Sequence, residues 1–412
     1  MDVIVARCAG LDVGKREVSA CVRVPGPGGG RRQEIKTFAT FTSDLERLAQ
    51  WLAAEGVTEV VMEATGQYWK PVWYVLEDAG FELKLVNAQH VKIVPGRKTD
   101  VCDAAWLAQL LEHGLLRGSF VPPPQIRQLR DLTRYRKKLI QARTAEIQRV
   151  QKFLEDAGIK LGSVASDVLG VSGRAMLEAL IAGERDPRVL AGLAKGRLRG
   201  KLPDLRLALR GRFAEHHALM LRIALDHLDG LDRAISRLDE RIEAVIAPFR
   251  RAVDHLITIP GLAERSAECL IAEIGVRMSV FPTAAHLASW ACMCPGNNIT
   301  GGKRKSGATR KGSPWIRGIL IECALAASRT RDTYLAAQFH RLARRIGKKK
   351  AAVAVGHSIL AIVWHLLDRD TDYDDLGGDY FLRDPNTARR SRDHHIAGLL
   401  GLGYRVTLEP AG

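Results

Sequence analysis

Lys98-Thr99-Asp100-Val101-Cys102-Asp103-Ala104-Ala105-Trp106-Leu107-Ala108 places two carboxylates three residues apart at the start of a helical pattern. At that spacing both side chains share one helix face. Two like charges so close repel, and the repulsion is best tolerated when a divalent cation sits between them. The alternative is an N-terminal capping cluster on a solvated face. What precedes the stretch bears on that choice, and it reads as a mixed α/β unit. Val3 to Val13, Glu17 to Val24 and Glu34 to Thr40 read as three strands in a meander, with a Gly/Pro-rich turn at 25–30. Ser43-Asp44-Leu45-Glu46 has the form of a capping box, and Leu45, Leu48 and Leu52 follow at helical spacing. Val57 to Met62 is a short apolar strand, about Lys70 to Ala79 a helix, and Glu82 to Val86 a strand before the helix that opens at Asp100. The order is β-β-β-α-β-α-β-α.

That order puts Asp12 at the end of the first strand, Glu63 at the tip of the fourth, and Asp100 with Asp103 on the helix after the fifth. In a mixed sheet such strand ends lie side by side, so four carboxylates from distant sequence are expected to converge. Oxygen donors of this kind suit Mg2+ or Mn2+, and a two-metal arrangement serves phosphodiester chemistry. The layout resembles the ribonuclease H fold in its RuvC-like variant. Gly10-Leu11-Asp12-Val13-Gly14-Lys15 is one residue too short for a phosphate-binding P-loop and lacks the hydroxyl residue after its lysine.

The 412 residues carry a formal net charge of +16, which points to a polyanionic partner, most plausibly nucleic acid. Seven scattered cysteines with no CxxC pair indicate neither a disulfide framework nor a zinc ribbon. Reduced thiols and the lack of a signal-peptide pattern at the start give a cytoplasmic expectation. Ala351 to Leu367 is apolar but short, and reads as a buried helix.

Pro122-Pro123-Pro124 marks a boundary. Beyond it, Ile126 to Asp156 is helical and very basic, with Arg127, Arg130, Arg134, Arg136, Lys137 and Lys138 at its start, and is expected to face phosphates. Leu221, Ala224, Leu228, Leu231, Ile235, Leu238, Ile242, Val245 and Phe249 step by threes and fours as a coiled-coil seam, with the Ile126 helix of the same chain the favoured, antiparallel partner. Ile259-Pro260-Gly261-Leu262 has the form of a helix-hairpin-helix turn or of an ordinary corner. Downstream, the 295–312 stretch holds Lys303, Arg304, Lys305, Ser306, Arg310 and Lys311 among glycines, read as a flexible, electropositive loop in which the Ser306 hydroxyl either grips or attacks a phosphate.

Together, the acidic quartet Asp12, Glu63, Asp100 and Asp103, the helical middle, the Ile-Pro-Gly-Leu turn and the Ser306-Gly307 loop followed by Lys311-Gly312-Ser313-Pro314-Trp315 resemble the DEDD transposases of bridge-RNA-encoding insertion sequences, relatives of Piv-type invertases. The resemblance runs from about Ala9 to Leu367. It implies a RuvC-like domain holding Mg2+ on the four acids, a serine nucleophile at Ser306 that forms a phosphoserine link to DNA, and a bridge RNA that supplies sequence specificity. It also implies homodimers assembling to homotetramers. The expected domains are a RuvC-like catalytic domain at 1–120, a basic helical and coiled-coil region at 121–250, a helical transposase domain with the serine loop at 251–368, and a poorly defined tail at 369–412. The competing functions are a hydrolytic, resolvase-type nuclease in which Ser306 only grips phosphate, and a nonenzymatic nucleic-acid scaffold.

Overall fold

The computed structural model describes residues 2–64, 66–87, 103–296, 298–306, 308–310, 312–382 and 385–408, with the backbone alone for 298–300, 304–306, 385–388, 390, 391 and 394. The chain forms two compact units, Met1–Val121 and Pro122–Gly412.

In the first unit, β1 (Cys8–Val13), β2 (Glu17–Pro25) and β3 (Arg31–Ala39) form the expected meander, followed by α1 (Thr42–Ala54), β4 (Glu59–Glu63), α2 (Trp69–Asp78), β5 (Glu82–Val86) and α3 (Asp103–Glu112). The sheet order is β3-β2-β1-β4-β5, with β1 antiparallel to β2 but parallel to β4, and β4 parallel to β5. This central parallel step flanked by an antiparallel meander is the ribonuclease H-like arrangement. Helix α1 starts one residue before the expected capping box, and no side chain caps it.

Strand alternation divides the sheet into two faces. Leu11, Val13, Val60 and Met62 pack with Leu45, Leu48, Val72 and Leu76 of α1 and α2. Cys8, Val61 and Val86 meet Leu107, Leu110 and Leu111 of α3 on the other face. Each leucine buried this way is worth roughly 1.5–3 kcal/mol relative to exposure.

The second unit is helical. Helix α4 (Pro124–Asp156) opens on a proline, whose missing N–H costs nothing in the first turn. It runs antiparallel to α6 (Glu215–Ile246), and the contacts descend in register: Arg136 to Asp239 at 2.9 Å, Arg143 to Asp232 at 2.5 Å, Glu146 to His227 at 3.4 Å and Asp156 to His217 at 3.0 Å. The seam found in the sequence is therefore satisfied within the chain. It is fully buried at Leu221, Ala224 and Leu228 and half-buried at Ile235 and Leu238. Between these two helices lies α5 (Val171–Ile181) among shorter turns, its Met176, Leu177 and Leu180 buried against Val150, Leu154 and Leu225.

Helices α7 (Arg250–Ile257), α8 (Glu264–Ile274) and α9 (Ala284–Trp290) lead to a hairpin of β6 (Asn298–Thr300) and β7 (Lys303–Ser306). Then come α10 (Pro314–Ala327), α11 (Tyr334–Ile346), α12 (Lys348–Arg369) and α13 (Pro385–Gly401). The turn between α7 and α8 is a packed corner: Gly261, at φ 88°, sits where a Cβ would fall 2.4 Å from the Ala327 nitrogen and 2.6 Å from the Cys323 oxygen of α10. Helix α12 is long and apolar enough to cross a membrane by length and composition, yet it buries Ala351, Ala352, Val355, Ile359, Leu360 and Val363 inside the unit.

Part of the tail, though exposed or half-buried throughout, is anchored by specific contacts to the helical unit. After the left-handed Asp370, the chain returns to α7, where the Tyr373 N–H donates to Thr258 Oγ at 2.9 Å and His255 lies between Asp372 (2.6 Å) and Asp370 (3.0 Å). It then caps α11, with Asp375 accepting from the Tyr334 N–H at 2.9 Å and Tyr334 packed on Tyr380 and Phe381.

Candidate functional site

The site begins with a glycine. A Cβ on Gly10 would fall 2.3 Å from the Ala104 carbonyl oxygen and 2.4 Å from the Ala108 nitrogen, so only glycine lets α3 lie directly on β1. Cys21, paired with Gly10 on β2, packs on Ala104, Ala105 and Ala108, so small residues line both sides of the approach. The far end of α3 is tied by Glu112, whose side chain is 1% exposed: Arg23 Nε donates to it at 2.7 Å and Arg31 closes a second ion pair. Its backbone carbonyl accepts from Ile4 and Val5 at 2.9 and 3.1 Å. Helix α3 is thus fixed at both ends over the central strand.

Asp103, the first residue of α3, is brought to Asp12 at the end of β1. The two are electrostatically coupled: burial first, and the Asp103 charge second, hold the Asp12 carboxyl above its ordinary value. Glu63 ends β4, in parallel register one step past the Leu11–Met62 pair, which sets it beside Asp12. Asp12 alternates with Gly10, and Glu63 with the buried Val61, so both belong to the sheet face that α3 covers. Asp100 lies outside the described residues. The fold therefore places Asp12, Glu63 and Asp103 at one end of the sheet, exposed or half-buried, without closing the three carboxylates into a tight cluster.

Neither Gly10 nor the Glu112 ion pairs were singled out from the sequence. Gly10 had a signal: a glycine in mid-strand marks close backbone approach, but here it was read only as part of a failed P-loop.

In the second unit, the described backbone around Ser306 forms a β-hairpin. Thr300 pairs with Lys303 across Gly301 and Gly302, whose φ values of 55° and 74° suit a tight type I′ turn. Asn298 pairs with Ser306, and the Pro295–Thr309 bridge with the Gly296 N–H to Ala308 oxygen bond at 2.9 Å extends the pairing. Lys303 is exposed, Arg310 donates to both oxygens of Ser289 at 3.0 Å, and Lys311 lies outside the described residues.

Much of the basic face expected on α4 is engaged within the chain. Arg136 is 4% exposed and donates to Asp239 at 2.9 Å and Glu268 at 3.0 Å. Burial raises the Glu268 carboxyl even against the pull of Arg136. Arg130 donates to the Ala272 and Glu273 carbonyls at the end of α8, and burial lowers its guanidinium to about 10. Arg134 grips Glu273 with two bonds of 2.7 and 2.8 Å and packs over Trp315, which Lys138 also approaches. Arg127 donates to the Pro122 carbonyl and Lys137 to Glu322 at 2.9 Å. Arg130, Arg134, Arg136 and Lys137 thus tie α4 to α6, α8 and α10.

Two other ligand-rich clusters have structural partners. Glu243 and Glu264 share Arg250, and Glu268 takes Arg136. In the Asp156, His216, His217 group, the Ala214 N–H donates to His217 Nδ1, which leaves the proton on Nε2 to bond Asp156.

Residues 9–159 match a DEDD, IS110-type family described as "Transposase", and residues 253–341 match the family described as "Transposase IS116/IS110/IS902 family". The chain is an IS110-family DEDD transposase. The transposase is 27% identical over 321 residues to a "Probable family 20 transposase" of Pseudomonas aeruginosa, covering 76% of this chain and 85% of that protein. It is 26% identical over 322 residues to the "Transposase for insertion sequence element IS1111A" of Coxiella burnetii, covering 76% and 79%. A Thermus thermophilus RuvC structure aligns at 13% identity with 27% of this transposase and 99% of that chain, with a TM-score of 0.22. The ribonuclease H-like fold of the transposase rests on its own strand order and register. A DEDD transposase implies dependence on a divalent metal.

Proposed function

We propose that this transposase cuts and rejoins DNA at insertion-sequence ends and target sites through a serine-linked intermediate. The observation that carries the reading is the seating of α3 on Gly10, which couples Asp103 to Asp12 at the strand end beside Glu63. Asp12, Glu63 and Asp103, joined by Asp100, would hold Mg2+ or Mn2+. The ion would supply charge stabilisation at the scissile phosphate.

Ser306 is the proposed nucleophile. Its Oγ–P bond forms as a P–O bond to deoxyribose breaks, the hydroxyl proton leaves to solvent, and the departing strand carries away a hydroxyl. A DNA hydroxyl then attacks the phosphoserine, breaking the Oγ–P bond and restoring the serine, so the bond energy is conserved without an external source. The hairpin supports this role: the strand that ends at Ser306 begins at the exposed Lys303. Bridge RNA is proposed as the source of sequence specificity, and a homodimer assembling to a homotetramer as the working form.

The test combines purified protein, magnesium, RNA transcribed from flanking noncoding DNA, and labelled element-end DNA. A denaturation-resistant protein–DNA adduct should form, and both Ser306→Ala and Asp103→Asn should abolish it. Cleavage without an adduct, still lost in Asp103→Asn, would replace this reading with the hydrolytic nuclease. Magnesium-independent behaviour that survives Asp103→Asn would leave only the binding scaffold.

A further inference from the structure

The sequence Arg341-Leu342-Ala343-Arg344-Arg345-Ile346-Gly347-Lys348-Lys349-Lys350 has six cations and no acid. It forms the corner between α11 and α12, where Gly347 at φ 82° ends one helix and starts the next. Helix α11 buries Leu335, Ala336 and Phe339, and α12 buries Ala351, Ala352 and Val355, so the corner carries its charges outward. Arg341 packs on the Phe381 ring at 4.2 Å. Arg344, Arg345, Lys348, Lys349 and Lys350 are all exposed, and among the described residues none of them meets a carboxylate.

We propose that these five side chains form a docking surface for the sugar-phosphate backbone of duplex DNA. The proposal rests on the reading of the chain as a DNA transposase and adds a contact apart from the acids and the serine hairpin. All five lie beyond residue 341, where the second family match ends. Folding does not account for them. The three lysines occupy the first turn of α12, where the helix dipole disfavours cations by roughly 0.3–1 kcal/mol each. Charge complementarity names a polyanion, and composition narrows it. The 341–350 stretch has no aromatic ring on which an unstacked base would lie. A surface of lysine and arginine at the meeting of two helices suits the regular phosphates of a duplex, whose contacts position DNA.

The test uses the full chain and a fluorescently labelled DNA duplex of arbitrary sequence, with affinity measured by anisotropy across a salt series. In the variant Arg344→Gln/Arg345→Gln/Lys348→Gln/Lys349→Gln/Lys350→Gln, the slope of log K against log salt should flatten by about 4.5 if every cation meets a phosphate. Duplex affinity at low salt should fall at least about tenfold. The exposed single change Lys349→Gln, which touches no packed group, should flatten the slope by about 0.9. An unchanged slope in both variants overturns the proposal. Weakened binding of single-stranded RNA with duplex binding intact overturns it in favour of an RNA surface. Because binding needs no chemistry, Ser306→Ala should keep the corner-dependent slope. Loss of that slope condemns this inference alone, whereas a missing adduct with the slope intact condemns only the serine mechanism.

Discussion

Helix α4 and the α11–α12 corner are both dense in Lys and Arg, yet their cations serve opposite ends. On α4, acids arrive from elsewhere: Asp232 and Asp239 from α6, Glu268 and Glu273 from α8. The fork of each arginine suits such partners, and the helices are pinned by it. At the corner no acid arrives from among the described residues, and the charges stay in water. The lesson is that charge density in a sequence announces cations but not their partners. A basic helix that packs on two others consumes its charges, while a basic corner at the end of a packed pair keeps them.

The sharpest way to break this comparison is Arg136→Met. If Arg136 is a structural tie, removing it strands the buried Glu268 and should cost about 3–5 kcal/mol in denaturant unfolding. Its DNA-binding salt slope should match the parent. A stable variant with a flatter slope would put α4 back among the phosphate contacts.

A second test concerns a cation that is structural and titratable at once. His255 is bonded by Asp372, and then by Asp370, which raises its pKa above 6.5 despite partial desolvation. Arg251 also pairs with Asp370. Because the folded value is the raised one, the stabilisation is complete below pH 6.5 and is lost as pH rises through the raised value. Thermal melts across that window should show the melting temperature falling in the parent and flat in His255→Gln. Parallel curves would show that the docked tail does not depend on the charge. The smallest effect belongs to Lys137→Ala, whose exposed pair with Glu322 should contribute under about 1 kcal/mol. A larger loss on unfolding would mean that exposure does not separate the two kinds of cation.

Much of the fold was readable. The strand meander, the alternating order of the first unit and the long helix seam follow from period-two and heptad patterns, which are local in sequence. Asp12 and Glu63 could be assigned to strand ends for the same reason. The hairpin around Ser306 was missed because Gly301-Gly302 was read for flexibility, when two adjacent glycines also supply the two positive φ angles of a tight turn. The docked tail was missed because its partners, His255 and Thr258, lie 115–117 residues away in sequence.

By itself the sequence determined the order of elements, the acidic residue types at the strand ends, the family to which the chain belongs and its excess of positive charge. Only the tertiary structure decided that Gly10 seats α3 with Asp103 toward the strand end that carries Asp12, and that Arg136 serves packing while Lys349 stays exposed. Periodicity and turn chemistry act between near neighbours and can be read in a short window. Ion pairs such as Arg136 with Asp239 and Glu268 join residues 103 and 132 positions apart, and a contact of that range exists only once the chain has packed.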